Sequence, residues 1–300
     1  MQKQKKIVDS NPDISTGGRA DRYWSIRGVV QKSSKGITSK LPKTISPQKP
    51  LDQYEILKLY NLKGFEWGNW LSNNDRSDKL HAAAISLRDL SKVMRSTNLG
   101  MDGTIGLAFG ARGMSGAKAH FEPSTFMINL TKNSGDNSLA HEYGHAVDYF
   151  FGTYIDQNRN YRSLVGGSST ARKLKDNRGS QLRTLANGIV DSIIMDGKML
   201  SESYQRLIKA KSGDYWRSRN EIWARFFEQY VAYKLNFMNL KNPFLMKSKY
   251  ESSTYLCKRD FERVLPAMDT FITIVSRKMN EKPNKKVYVV NSGKKSASKQ

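Results

Sequence analysis

Apolar residues recur with helical spacing over much of the chain. Residues 52–61 and 76–95 carry them on one stripe, and both are predicted helices. The second contains HAAAISLRDLSKVM and is closed by Asn98 and Gly100. The period then shortens to two. Residues 104–111 (TIGLAFGA), 117–122 and 126–131 read as strands, the last two joined through Pro123 and Ser124 in a hairpin-like turn. In the third, Phe126, Ile128 and Leu130 alternate with Met127, Asn129 and Thr131. Helical spacing returns from about Ser138 to Phe151, then over 184–195, 201–210, 219–235 and 259–279. The last helix puts Phe261, Val264, Leu265, Met268, Phe271, Ile272 and Val275 on one stripe, while 153–183 reads as loop with a basic cluster at Arg172, Lys173, Lys175 and Arg178. No internal repeat is visible. Many helices with a small sheet make an α+β fold.

Composition divides the chain. With 300 residues, 38% of them hydrophobic, a sizeable core can be buried. The first 48 residues are instead rich in Lys, Ser, Gly and Pro and read as a flexible basic arm. Residues 49–279 hold the folded domain, and 280–300 form a basic tail. The net charge of +23 is concentrated at the ends: 11 Lys/Arg against 3 Asp over 1–50, and 8 against 1 acidic residue over 277–300. Such arms are either solvated or bound to a polyanion, with nucleic acid the first candidate. Zinc-finger pairs and a basic region feeding heptads are lacking, so any such contact is expected to be non-specific. A single cysteine, Cys257, excludes an internal disulfide framework and fits a reducing compartment. No run approaches 18 apolar residues, and the opening MQKQKKIVDSNPD has no apolar core behind its charges. Neither a membrane span nor a secretory signal is expected.

The segment SLAHEYGHAVDYFF carries the chemistry. His141 and His145 stand one helical turn apart, so both imidazoles share a face and can reach one ion. With His141 at 0° on a helical wheel, His145 falls near 40° and Asp148 near −20°, while Leu139, Tyr143, Ala146, Val147 and Phe150 fall on the opposite face. With four His and ten Glu in the chain, chance supplies on the order of 0.002 such H-E-x-x-H motifs, so the pattern is specific. Zinc held by two imidazoles and a third protein ligand keeps a position for water, whose pKa it lowers to near neutral. Glu142 is then the expected general base and, later, general acid. A metzincin needs Gly and His where Asp148 and Phe151 stand, and an inverted H-x-x-E-H is absent.

A third ligand has to come from elsewhere. His81 begins a distant helix, and His120 stands near a strand end, where it could line the site or serve a structural role. The helix 219–235 (RNEIWARFFEQYVAYKL) offers Glu221 or Glu228 on a charged face opposite Trp223, Phe226, Phe227 and Tyr230. The two glutamates lie about 10 Å apart along the axis, so both cannot bind one ion directly. The plainer reading of that face is a solvent-exposed Glu221–Arg225 pair. Asp148 or the second glutamate could orient a histidine N–H, and Tyr215 could donate to a developing oxyanion. An extended substrate peptide could pair along the strand 117–122.

Four segments then bring a family into view: YNLKGFEWGNWLSNNDRSDKLHAAA (60–84), IGLAFGARGMSGAKAHFEPSTFMINLTKNSGDNSLAHEYGHAVDYF (105–150), SGDYWRSRNEIWARFFEQYV (212–231) and YLCKRDFERVLPAMD (255–269). Together they resemble the large polyvalent protein-associated domain of the first type, a gluzincin-like metallopeptidase domain of phages and conjugative elements. The resemblance implies a zincin-like fold, a Zn2+ cofactor and a protein or peptide substrate. It assigns His141, Glu142 and His145 as metal and catalytic residues, and Glu221 as third ligand through the E-x-x-A-R-x-F-E pattern. That pattern is also similar to the ligand helix of the anthrax lethal factor peptidase. The implied location is the host-cell cytoplasm or a phage particle. Members usually sit within much longer chains, and the loop 153–183 has no counterpart in the quoted motifs.

Overall fold

Asp52 and Ser72 open the first two helices in the same way. In α1 (Gln53–Tyr60), Asp52 accepts from the Glu55 N–H at 2.8 Å and Glu55 accepts from the Asp52 N–H at 2.9 Å. In α2 (Asn73–Met94), Ser72 and Asp75 exchange the same pair of bonds. These reciprocal caps satisfy donors that the first helical turn leaves unpaired. The computed structural model describes residues 51–69, 71–111, 119–131, 137–156, 162–166, 180–247 and 249–281. The expected basic arm, most of the basic tail and the cluster at Arg172–Arg178 lie outside the described residues.

Three parallel strands and one antiparallel strand make a four-stranded sheet. β1 (Phe65–Trp67), β2 (Gly106–Phe109) and β4 (Met127–Leu130) run parallel, and β3 (Ala119–Glu122) closes one edge antiparallel to β4, in the order β1-β2-β4-β3. The Pro123–Ser124 turn joins β3 to β4 as the hairpin spacing predicts. One face carries Trp67, Leu107, Phe109, Ile128 and Leu130 into the main core, with the Phe65, Trp67 and Phe109 rings stacked. Ala108 and Met127 form a small separate cluster on the other face.

Helix α3 (Leu139–Phe150) crosses the main face of the sheet and runs into a π-helical turn, Phe151–Ile155. Phe121 of β3 meets Tyr149 at 5.8 Å between ring centroids, which seats α3 beside the edge strand. Then follow α4 (Gln181–Ile194), a short β5–β6 hairpin (Met195–Asp196 and Met199–Leu200), α5 (Glu202–Ala210), α6 (Asp214–Arg217), α7 (Arg219–Phe237) and α8 (Lys258–Asn280). Helix α7 lies between α3 and α8. Its Trp223 packs edge-on against Phe271 at 4.8 Å and Phe226 against Phe261 at 5.7 Å. The result is an α+β fold with eight α-helices among the described residues. No helix among them is long and apolar enough to cross a membrane.

The predicted elements between 52 and 279 recur within a few residues of their expected ends. Four pieces were not expected: β1, the π-helical turn, the α6 turn and the β5–β6 hairpin. β1 is only three residues long and reads as strand because β2 pairs with it.

Candidate metal centre

Helices α3 and α7 pack against each other, and Gly144 sets their distance. A Cβ there would lie 3.1–3.2 Å from the Cβ, Cδ1 and Cγ atoms of Phe227. The Trp223 indole N–H also donates to the Gly144 carbonyl at 2.9 Å, pinning the helices at the same level. Tyr143, on the far side of α3, donates to the Leu99 carbonyl at 3.0 Å. The helix that the sequence shows as half core and half histidine is therefore covered on both sides. Glu142, His145 and Asp148 are buried along with the apolar stripe. The charged face of α7 is buried too: Glu221, Arg225 and Glu228 are 7%, 4% and 0% exposed. That rules out the solvent-face reading of the Glu221–Arg225 pair, although the pair itself exists at 3.7 Å.

Three side chains converge between the helices. His141 Nε2 lies 3.4 Å from Glu221 Oε2, and His145 Nε2 lies 3.2 Å from Glu221 Oε1. The two imidazoles stand nearly perpendicular, with centroids 5.0 Å apart. One ligand atom from each of the three residues falls within 4.8 Å of the other two. A tetrahedral zinc with arms of about 2.0–2.1 Å requires ligand atoms about 3.3 Å apart. The two imidazole–carboxylate separations, each to a different Glu221 oxygen, are close to that spacing.

The electrostatics favour a cation at the same point. Burial opposes a charge on His141, but Glu221, Glu228 and Glu142 outweigh it and push the imidazole up to about 9. Burial likewise opposes the Glu221 carboxylate, and His141 and His145 overcome that and hold it below the usual carboxylate range. A positive charge between these groups, whether proton or metal, relieves two buried carboxylates at once.

The second glutamate sits on the other side of His141. Glu228 Oε2 lies 3.6 Å from His141 Nδ1, while Glu221 faces Nε2. Glu228 Oε2 accepts from the Tyr255 hydroxyl at 2.7 Å and from Lys247 Nζ at 3.0 Å. The structure thus brings Glu221 to both imidazoles and Glu228 behind one of them. Asp148 is used differently from the expectation. Its carboxylate accepts from Ser163 Oγ at 2.7 Å and the Val165 N–H at 3.1 Å, so it ties down the 162–166 segment rather than an imidazole N–H. Its charge acts on His145 only through space.

Glu142 is buried, and its carboxylate makes no hydrogen bond to any described residue. Tyr215 of α6 stands close by. Its ring is 62% exposed, but loss of water around the hydroxyl and the charges of Glu221 and Glu142 raise the phenol above its ordinary range. His120 is the expectation that fails. Its register partner is Asn129, so it shares the sheet face of Met127 and Ala108, opposite the face on which α3 lies. Alternation along a strand reverses the side chain at each residue, and Phe121, not His120, faces α3. Its buried Nδ1 has no hydrogen-bond partner among the described residues.

Residues 207–295 match the family model of the large polyvalent protein-associated domain 1. Over this stretch the chain is similar to that family. The matched part of the domain holds Tyr215, Glu221, Glu228, Lys247 and Tyr255 and begins well after the H-E-x-x-H segment. Of the four quoted motifs it contains the third and fourth. It gives the chain a polyvalent-protein context. No curated protein and no solved structure matches the chain. Within the domain, Lys247 and Tyr255 were not expected at the site. Their residue types carry no ligand signal, and only the tertiary fold brings them to Glu228.

Proposed function

We propose that this protein is a zinc-dependent peptidase with a zincin-like catalytic half. The observation that carries the reading is the approach of one carboxylate from α7 to both imidazoles of the H-E-x-x-H helix, at 3.4 and 3.2 Å. His141, His145 and Glu221 would hold the ion. A zinc ion so held supplies Lewis acidity, lowering the pKa of water and polarising a peptide carbonyl. Glu142 has no competing hydrogen bond and can accept the water proton, then return it to the leaving amine. Tyr215, a phenol protonated at neutral pH, can donate a hydrogen bond to the carbonyl oxygen as negative charge develops there. Glu228 lies 3.6 Å behind His141 Nδ1, beyond hydrogen-bond reach, and its carboxylate acts on that ring through its charge. β3 is an antiparallel edge strand beside α3, and an extended substrate can pair with its free side.

The test compares wild-type protein and Glu142→Gln, both loaded with zinc, on a peptide mixture. Equal metal content with cleavage by the wild type alone supports the reading. Retained cleavage in Glu142→Gln removes that residue from the mechanism.

The net charge of +23, concentrated in the arms, favours a second activity: non-specific contact with nucleic acid. A phage or mobile-element protein acting beside DNA, in the host cytoplasm or in a particle, would combine both. Removing residues 1–48 and 280–300 then weakens salt-sensitive DNA binding and leaves turnover on small peptides intact. If the zinc site serves structure alone, the same truncation removes the only activity.

A further inference from the structure

Tyr215 comes to the metal centre on a turn that the core does not hold. Helix α6 is four residues long, and none of them is buried. A segment with so little apolar contact keeps its place through its polar bonds. Two arginines supply them. Arg217 Nη2 donates to the carbonyls of Lys211 at 3.2 Å and Ile208 at 3.4 Å, which ties the turn to the end of α5. Arg225, from the second turn of α7, donates through Nη2 to the Trp216 carbonyl at 2.5 Å, and its Cζ lies 5.7 Å from the centroid of the Trp216 ring. Arg225 is itself buried. The other arm of its fork points at the third ligand. Nη1 lies 3.7 Å from Glu221 Oε2, an ion-pair distance too long for a hydrogen bond, and the same oxygen is 3.4 Å from His141 Nε2. One guanidinium therefore spans the gap between a ligand carboxylate and the backbone of the residue after Tyr215.

We propose that Arg225 is a positioning residue for Tyr215: it fixes the phenol at the metal centre by tying the Trp216 carbonyl to the Glu221 carboxylate. The proposal rests on the peptidase reading, in which Tyr215 donates to the developing oxyanion. It gives the charged face of α7 two tasks, a ligand from Glu221 and the placement of an oxyanion donor from Arg225. The planar guanidinium suits the second task because its two arms are rigidly related, so the position of the carboxylate dictates that of the carbonyl. Lysine would keep the charge beside Glu221, but its single nitrogen has no second arm for Trp216. A donor displaced from the oxyanion by even 1 Å loses most of its effect on the chemical step, while substrate binding is little changed.

Two measurements test this. In the first, the metal-free full-length protein is treated with trypsin, and cleavage after Arg217 is followed by fragment mass. That bond lies at the end of the α6 turn, so its cleavage reports opening of the turn. Arg225→Lys is expected to speed this cut about tenfold or more, since a charge-assisted bond is lost. Cuts after the fully buried Arg183 and Arg219 should keep their wild-type rates, which shows that the rest of the fold is intact. Arg225→Met should behave in the same way and serves if the lysine variant does not fold. In the second, the zinc-loaded protein is assayed on peptides as wild type, Tyr215→Phe, Arg225→Lys and the double variant. Tyr215→Phe should lower kcat about a hundredfold. Arg225→Lys should lower it about tenfold or more with KM little changed, and the double variant should be no slower than Tyr215→Phe alone. Losses that multiply in the double variant, or a wild-type rate of cutting after Arg217 in both Arg225 variants, overturn the proposal. Absence of peptide cleavage by the wild type overturns the peptidase reading instead, and the trypsin comparison then decides the anchoring by itself.

Discussion

Replacing Gly144 by alanine pits helix propensity against packing, and the geometry decides the sign. On propensity alone alanine in the middle of α3 would stabilise by about 1 kcal/mol. The new methyl, however, would meet three atoms of Phe227 at 3.1–3.2 Å, inside the roughly 3.5–4.0 Å at which carbon atoms attract. Phe227 cannot swing aside. It is fully buried, and the rings of Tyr143 and Trp223 stand 6.2 and 6.4 Å from it. The helices must separate by a few tenths of an ångström, which strains the Trp223–Gly144 hydrogen bond. Overpacking of this kind costs about 1–3 kcal/mol, so the net change runs from about zero to a loss of about 2 kcal/mol. The same displacement draws Glu221 from the imidazoles and weakens zinc binding. Urea unfolding of Gly144→Ala, alone and combined with Phe227→Ala, measures this. The second substitution removes Cγ and Cδ1, two of the three crowding atoms, so the alanine at 144 should cost less there than in the single variant. A single variant about 1 kcal/mol more stable than wild type would refute close approach of the two helices.

Two further outcomes follow from side chains around the site. Glu228→Gln should weaken zinc binding about tenfold in a competition titration, because it removes the negative charge 3.6 Å from the ring of His141; unchanged affinity would contradict that role. Asp156→Asn tests the anchoring of the 162–166 segment, since Asp156 pairs with the fully buried Arg183, which in turn donates to the carbonyls of Ser163 at 2.7 Å and Leu164 at 3.1 Å. Burial opposes the Asp156 charge, but Ser180 and Arg183 outweigh it and hold the carboxyl below its ordinary value. The folded pKa is therefore below the unfolded one of about 3.9, and the contribution is complete above that pH and lost as pH falls through the folded value. Asp156→Asn should cost about 3–5 kcal/mol at neutral pH and flatten the acid limb of the stability profile; an unchanged acid limb would contradict the assignment.

Much of this site can be read from residue spacing because its parts repeat at helical intervals. His141 and His145 fall on one face by a four-residue step, and Glu221, Arg225 and Glu228 do so on another helix. What spacing cannot supply is which helix lies against which. Glu221 and Glu228 are equivalent on the wheel and differ only because α7 crosses α3 at Gly144, with the first glutamate facing both imidazoles and the second behind one. His120 failed for a similar reason: nearness to a strand end says nothing about the face, and the pairing with Asn129 turns it away from α3. Lys247 and Tyr255 reach Glu228 from a segment after α7, a contact with no local periodicity. The β5–β6 hairpin was announced by Asp196-Gly197, where Gly197 adopts φ 63°, but two residues on each side are too few for alternation to register.

Zinc stoichiometry of the purified chain, measured side by side for wild type, Glu142→Gln, Glu221→Ala and Glu228→Ala, tests the central claim most directly. One zinc per chain is expected in the wild type and in Glu142→Gln, with weakened binding in Glu228→Ala and loss of the metal in Glu221→Ala. Full zinc occupancy in Glu221→Ala would contradict a centre built from His141, His145 and Glu221.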